Sequence, residues 1–264
     1  MSITEIFGYI GALLVGVVLG LIGGGGSILT VPILVYFFYL NPVTATAYSL
    51  FVVGSSALVG AFRNMQKKRV VFKTALIFAG PAFIMVFITR KFIIPAIPET
   101  LFYIGNFLVT KNLAIMIFFA IIMLLASITM IRNKRPEEAE VKKTNYSLLM
   151  LQGIIIGFVT GMVGAGGGFL IIPALVILAG LPMKKAVATS LFIIAINSLI
   201  GFTGDLTNMN INWPFLLTFT AIAVVGIFIG IWLNKFIDGK KLKKAFGWFV
   251  LIMGIYIIYK EVAL

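Results

Sequence analysis

Cysteine and histidine are both absent from the 264 residues, and only 11% of them are charged. Without cysteine there are no disulfides, thiolate metal sites or thiol nucleophiles. Without histidine the chain lacks the usual metal ligand and the usual proton shuttle near neutral pH. Scattered serines and Asp205 do not make a catalytic set, so no enzyme, metal site or cofactor is expected. The shortage of charge is equally restrictive. A soluble domain carries about a quarter charged residues, so this chain cannot cover a globule with polar surface. Hydrophobic residues fill the gap, at 61%. Several runs are long enough to cross a hydrocarbon core of about 30 Å, which takes about 20 helical residues. The runs are continuous rather than alternating, which points to helices and not to a barrel.

The charge that remains is mostly of one sign, with a net of +13. Membrane proteins retain Lys and Arg in their cytoplasmic loops, so this excess is read as topology and not as a nucleic-acid surface. The first apolar run has no basic stretch before it and no small-residue cleavage site, so it is expected to be a retained helix.

An internal repeat is the strongest pattern. With a shift of 141 residues, Gly16 to Gly60 aligns without a gap on Gly157 to Gly201. Identical pairs include Gly16/Gly157, Gly20/Gly161, Gly23/Gly164, Gly25/Gly166, Gly26/Gly167, Pro32/Pro173 and Ser49-Leu50-Phe51 against Ser190-Leu191-Phe192. Chance similarity between apolar runs would not hold register through scattered Gly, Pro and Ser. Five apolar segments fall in each half: 3–22, 28–40, 45–62, 71–89 and 113–131, then 146–163, 169–181, 186–202, 213–233 and 245–259. The expected domains are a first membrane repeat (1–131), a charged linker (132–144) and a second repeat (145–264). The stretch 90–112, with Pro95 and Pro98, is expected to be an irregular or interfacial connection.

Basic clusters follow segments three (Arg63, Lys67, Lys68, Arg69, Lys73), five (Arg132, Lys134, Arg135, Lys142, Lys143), seven (Lys184, Lys185) and nine (Lys235, Lys240, Lys241, Lys243, Lys244). Together they hold 17 of the 21 Lys and Arg residues. The positive-inside rule places these loops and the linker in the cytoplasm, with both termini outside. An odd number of segments per half inverts the second half in the membrane. Loop charge agrees: the basic stretch 63–73 corresponds to 204–214, which has no Lys or Arg. The predicted fold class is therefore an all-α polytopic membrane protein with an inverted-topology repeat, about eight full spans plus two short or re-entrant helices. Such repeats are an architecture of transporters and channels.

Segments 28–40 and 169–181 have 13 residues each, roughly 20 Å at 1.5 Å per residue, which is short of a span. Each follows a glycine-rich break: Gly23, Gly24, Gly25, Gly26 and Ser27 in one half; Gly164, Ala165, Gly166, Gly167 and Gly168 in the other. Non-helical backbone at membrane depth survives only where it is packed in protein or lines a cavity. The first N–H groups of a helix lack intrahelical partners and carry partial positive charge. Two such ends facing each other make an anion site from backbone alone. Gly16, Gly20, Gly157 and Gly161, at four-residue spacing, instead read as close helix packing.

Paired polar positions follow the short segments: Ser49 and Ser190, Ser56 and Asn197, Thr46-x-Tyr48 and Val187-x-Thr189. They can complete anion coordination or serve as hydrogen bonds between helices. Arg63-Asn64 and Gly204-Asp205 are also equivalent. Arg63 either draws an anion inward or belongs to the basic loop; Asp205 either carries a coupling proton or flanks a helix outside. The expected cavity offers no buried carboxylate, which disfavours a cation carrier, although backbone carbonyls can bind cations.

The pattern Gly-x3-Gly-x2-Gly-x-Gly-Gly, an apolar stretch and then Pro occurs at Gly16 to Pro32 and again at Gly157 to Pro173. In it the chain resembles the sulfite exporter TauE/SafE family over essentially its whole length. Ser27 departs from the Gly168 of the second copy, and Asn41-Pro42 from Pro182-Met183. The resemblance implies a bacterial inner-membrane carrier for small anions, often sulfite, sulfonates, sulfoacetate or thiosulfate. The expected partners are then the lipid bilayer and a small anionic solute, with a homo-oligomer left open. A passive anion channel and a carrier of another solute are the alternatives.

Overall fold

The computed structural model describes residues 3–24, 26–104, 107–132, 146–233, 236 and 239–263. The expected linker from 133 to 144 lies outside them, as do Gly25, Lys235 and the side chains of Lys240, Lys241 and Lys243. The helices are α1 (Ile3–Ile22), α2 (Ser27–Tyr36), α3 (Pro42–Gln66), α4 (Phe72–Ala96) and α5 (Lys111–Arg132), then α6 (Tyr146–Val163), α7 (Gly168–Ile177), α8 (Met183–Asp205), α9 (Trp213–Leu233) and α10 (Gly239–Ala263). Eight of them are long and apolar enough to cross a membrane. The chain is an all-α, multi-pass membrane protein. Large apolar side chains such as Leu14, Leu125, Phe228 and Ile252 face outward, as helices bathed in lipid require.

The short helices α2 and α7 have 10 residues each, fewer than the apolar runs predicted. Both end at a left-handed residue, and the two residues are equivalent in the repeat: Tyr39 (φ 55°) and Gly180 (φ 62°). The following N–H groups reach back into the helix, Leu40 to the Leu34 carbonyl and Leu181 to the Leu175 carbonyl, each at 3.1 Å. Nothing polar marks these ends, so hydropathy runs straight through them. By contrast α3 starts earlier than its apolar run because Asn41 caps it. The Asn41 Oδ1 accepts the Val43 N–H at 2.9 Å, and Pro42 fills the first turn, where no N–H is needed.

The stretch 90–112 is a correction. Instead of an irregular connection, α4 continues to Ala96 through a π-helical turn at Thr89–Ile93. It is followed by an antiparallel hairpin of β1 (Thr100–Ile104) and β2 (Phe107–Thr110). Arg90 made the apolar run look finished. The wider turn rotates that side chain inward, where it is fully buried.

The helices pack as the repeat requires, each contact having a counterpart. Helix α1 lies along α9, and α6 along α4; α3 also meets α9, and α8 also meets α4; α3 crosses α8, and α5 pairs with α10. Glycines make the first two seams. A methyl on Gly16 would lie 2.9 Å from the Gly226 Cα, and one on Gly157 would lie 2.5 Å from the Ala82 oxygen. Gly16 and Gly20 abut Ala223 and Ile227, so α1 and α9 run parallel; Gly153 and Gly161 abut Phe78 and Thr89, so α6 and α4 do too. Along the central pair, Gly54 abuts Leu199 and Gly60 abuts Leu191, so α3 and α8 run antiparallel. These directions fit alternating spans. Hydrogen bonds repeat as well. The N–H before α9, of Asn212, donates to the Tyr48 hydroxyl at 2.7 Å, and the N–H before α4, of Val71, donates to the Thr189 hydroxyl at 3.0 Å. The paired polar positions Tyr48 and Thr189 are thus caps for neighbouring helices.

Candidate functional site

The two glycine breaks meet. A methyl on Gly24 would fall 2.9 Å from the Gly168 Cα, so the two segments touch backbone to backbone. Gly23 (φ +80°) and its equivalent Gly164 (φ +70°) take a left-handed backbone that other residues rarely adopt. These turns let α2 fold back along α1, and α7 along α6. Each break also docks on the opposite half. Gly23 abuts Val187, with its carbonyl accepting the Ser190 hydroxyl at 3.0 Å, while Gly164 abuts Thr46, the residue equivalent to Val187. The second break reaches the middle of the central pair, where a methyl on Gly166 would lie 3.1 Å from the Ser198 Oγ and 3.2 Å from Ile194.

The predicted site glycines 23, 24, 26, 164, 166, 167 and 168 are all buried at this junction. Ser27 is buried beside them but spends its hydroxyl locally, donating to the Gly24 carbonyl at 2.8 Å. Fully buried polar atoms with no hydrogen-bond partner include the hydroxyls of Thr30, Ser49, Ser56, Thr160 and Ser198 and both amide atoms of Asn197, and of these Thr160 and Ser198 lie against Gly167 and Gly166 of the second break. Interpolating between Gly54–Leu199 and Gly60–Leu191 puts Ser56 level with Asn197, where α3 crosses α8. An unmet buried polar group costs about 1–3 kcal/mol, and such groups are rare in folded proteins. A cluster of them around an unwound backbone is what a site for a polar solute looks like.

Two predicted residues fare differently. Arg63 is half-buried near the end of α3 and lines a cavity of about 640 Å³ with Leu58, Phe62, Gln66, Phe192 and Phe228. That cavity lies on the flank of α3 and not at the breaks. Asp205 flanks a helix, as the last residue of α8, but it is only 3% exposed and accepts from the Arg90 Nε at 2.7 Å. Asp205 is therefore a buried carboxylate, and it is paired with a cation. Arg90 was missed because it sits at the end of an apolar run with no repeat partner of like charge. Its sequence signal is the cation pair Arg90-Lys91 between an apolar run and an apolar Pro-containing stretch. Among the described residues no group of three or more acidic side chains could hold a metal ion.

Comparison with known proteins agrees with the fold. The profile of the family described as Sulfite exporter TauE/SafE matches residues 9–257. A probable membrane transporter protein of Xylella fastidiosa strain Temecula1 is 29% identical, over 94% of this chain and 92% of its own. A probable membrane transporter protein of Bacillus subtilis is 28% identical, over 95% and 96%. One from Methanocaldococcus jannaschii is 40% identical over 41% of this chain and 43% of its own. No solved structure matches the chain.

Proposed function

Because the chain belongs to the sulfite exporter TauE/SafE family, we propose that this membrane transporter is a secondary carrier for a small, sulfur-containing oxyanion. Its site lies where the glycine breaks meet between α3 and α8. The observation that carries the proposal is Asn197, a fully buried amide with neither its donor nor its acceptor satisfied, at the level where those helices cross. Backbone N–H groups at the breaks and the orphan hydroxyls of Ser49, Ser56 and Ser198 offer neutral donors suited to an anion. The divided repeat, 1–131 and 145–264 about the linker, supplies the two half-sites. Direct contact of Gly24 with Gly168 favours a carrier that must rearrange over an open channel.

With the linker in the cytoplasm and both termini outside, a potential of 100 mV, negative inside, favours efflux of a unit anion by about 2.3 kcal/mol. Export is the proposed direction, across the inner membrane of a bacterial cell. The test is uptake of labelled sulfite, sulfoacetate, thiosulfate and sulfate into proteoliposomes, beside the variant Asn197→Leu. Saturable flux with counterflow in the wild type, lost in the variant, is the expected result. Equal flux in both would remove the site from α8, and linear flux without counterflow would make the protein a channel.

A further inference from the structure

Arg90 heads the fully buried side chains ranked by size, yet a neutral backbone site leaves it without a task. Its guanidinium ties four helices together. The Nε donates to Asp205 Oδ2 of α8 at 2.7 Å, and Nη1 to the Thr46 hydroxyl of α3 at 2.9 Å. Nη1 also donates to the Gly161 carbonyl of α6 at 3.2 Å, and Nη2 reaches the Val43 carbonyl at 3.4 Å. Arginine is a rigid fork built to hold two oxygens of one anion. Here it holds one oxygen of Asp205, and its Nη2 has only a long contact. Thr160, the residue before Gly161, has a buried hydroxyl without a partner and abuts Gly167 of the second break.

A structural tie alone does not account for this cluster. At the equivalent place in the other half stand Ile231, Asn64, Val187 and Gly20. There Asn64 merely donates to the Gly60 carbonyl of its own helix, at 2.9 Å. The equivalent helices pack at that end without a π-helical turn and with no charge at these four positions, so the helix pairing does not need one. A buried ion pair is also weak evidence for stability, because desolvation offsets most of its attraction.

We propose that Arg90 is the cationic element of the anion site and that Asp205 is the internal carboxylate that occupies it between substrates. This inference rests on the anion-carrier function. A small oxyanion reaching the second break exchanges with Asp205 for the guanidinium fork, and the unpartnered hydroxyl of Thr160 donates to it. Arg90 keeps a counter-anion throughout, and the displaced Asp205 carboxylate takes up a proton from the solution that delivers the anion, so neither partner is left as a bare buried charge. Exchange also unfastens the end of α8 from α4, linking arrival of the anion to movement of the helices that cover the site.

The test uses the full chain. Sulfite flux is measured in proteoliposomes, and sulfite-dependent thermal stabilisation is measured in detergent with chloride as the control anion. The double variant Arg90→Gln/Asp205→Asn keeps a neutral pair of similar shape and is expected to fold. It should lose at least about tenfold in flux and lose the sulfite-induced shift in Tm. Asp205→Asn alone removes the competing carboxylate and should bind sulfite at about tenfold lower concentration. Arg90→Lys, a point charge in place of a fork, should need about tenfold more. A double variant with wild-type flux and stabilisation overturns the role of Arg90 and leaves the carrier standing. An Asp205→Asn protein with unchanged sulfite affinity overturns the exchange. A wild type that carries none of the anions overturns the carrier itself, and this inference with it.

Discussion

The two ends of the molecule share a helix pairing and differ in chemistry. At one end Gly161 faces Thr89, and close by Thr46 and Asp205 hold the Arg90 guanidinium. At the other, Gly20 faces Ile227 and Ile231, while Val187 packs on Gly23. The repeat makes these ends equivalent in glycines, in helix pairing and in left-handed turns. It does not make them equivalent in polarity. An inverted repeat can alternate between two states because its halves can exchange conformations. In the proposed carrier such an exchange would be between unequal ends, one fastened by charge and hydrogen bonds and the other by apolar packing.

The comparison can be broken most severely at Arg90. Replacing it by Leu leaves the Asp205 carboxylate buried and uncompensated, and should destabilise the protein by about 3–5 kcal/mol. The equivalent Ile231→Val should cost less than about 1.5 kcal/mol. Thermal melts of both variants in the same detergent check the contrast, and equal losses would mean that the ion pair is not a distinguishing feature.

Next come the glycine seams. A methyl on Gly20 would lie 2.5 Å from the Ile227 carbonyl oxygen, which is backbone, whereas one on Gly161 would lie 2.6 Å from the Thr89 Cβ, which belongs to a side chain. Both substitutions to Ala should destabilise, by about 1–3 kcal/mol. The Thr89 Cβ is fixed by its own backbone, so the two losses should be of similar size. A clearly smaller loss for one of them in unfolding measurements would show that its end of the molecule is the more yielding one.

At the crossing of α3 and α8 the expected sign is opposite. Asn197→Leu removes two unmet polar atoms and should raise stability by about 1–3 kcal/mol while abolishing flux. Its equivalent, Ser56→Ala, should gain less, having one hydroxyl to lose. Loss of stability in either variant would mean that these groups hold the fold together. The smallest effect is expected at Arg63→Gln, half-buried beside the flanking cavity, where stability should stay within about 0.5 kcal/mol of wild type.

Much of this architecture was legible in the chain. Continuous apolar runs gave the eight spans, since lipid admits few other solutions, and the repeated Gly-Pro spacing revealed both short helices and the breaks before them. Ser49, Ser56, Ser190 and Asn197 stood out as polar residues in apolar company, and three of the four remain without partners in the folded chain. Hydropathy could not see where α2 and α7 stop, because Tyr39 ends a helix by a backbone angle that leaves no mark in composition. Nor could it see that α4 continues past Arg90, because a charge ends an apolar run whether or not the helix ends.

Periodicity, composition and the repeat are properties of the chain taken in order, and they determined the class, the number of spans and the relation between the halves. Arg90 and Asp205 are 115 residues apart in sequence, and no local pattern relates them. Only packing α4 against α8, with a π-helical turn aiming the guanidinium inward, brought the two charges within 2.7 Å. The contact of Gly24 with Gly168 likewise needed both halves folded at once. Local sequence sets which groups can hydrogen-bond, but burial decides which are left unpaired, and burial is a property of the whole molecule.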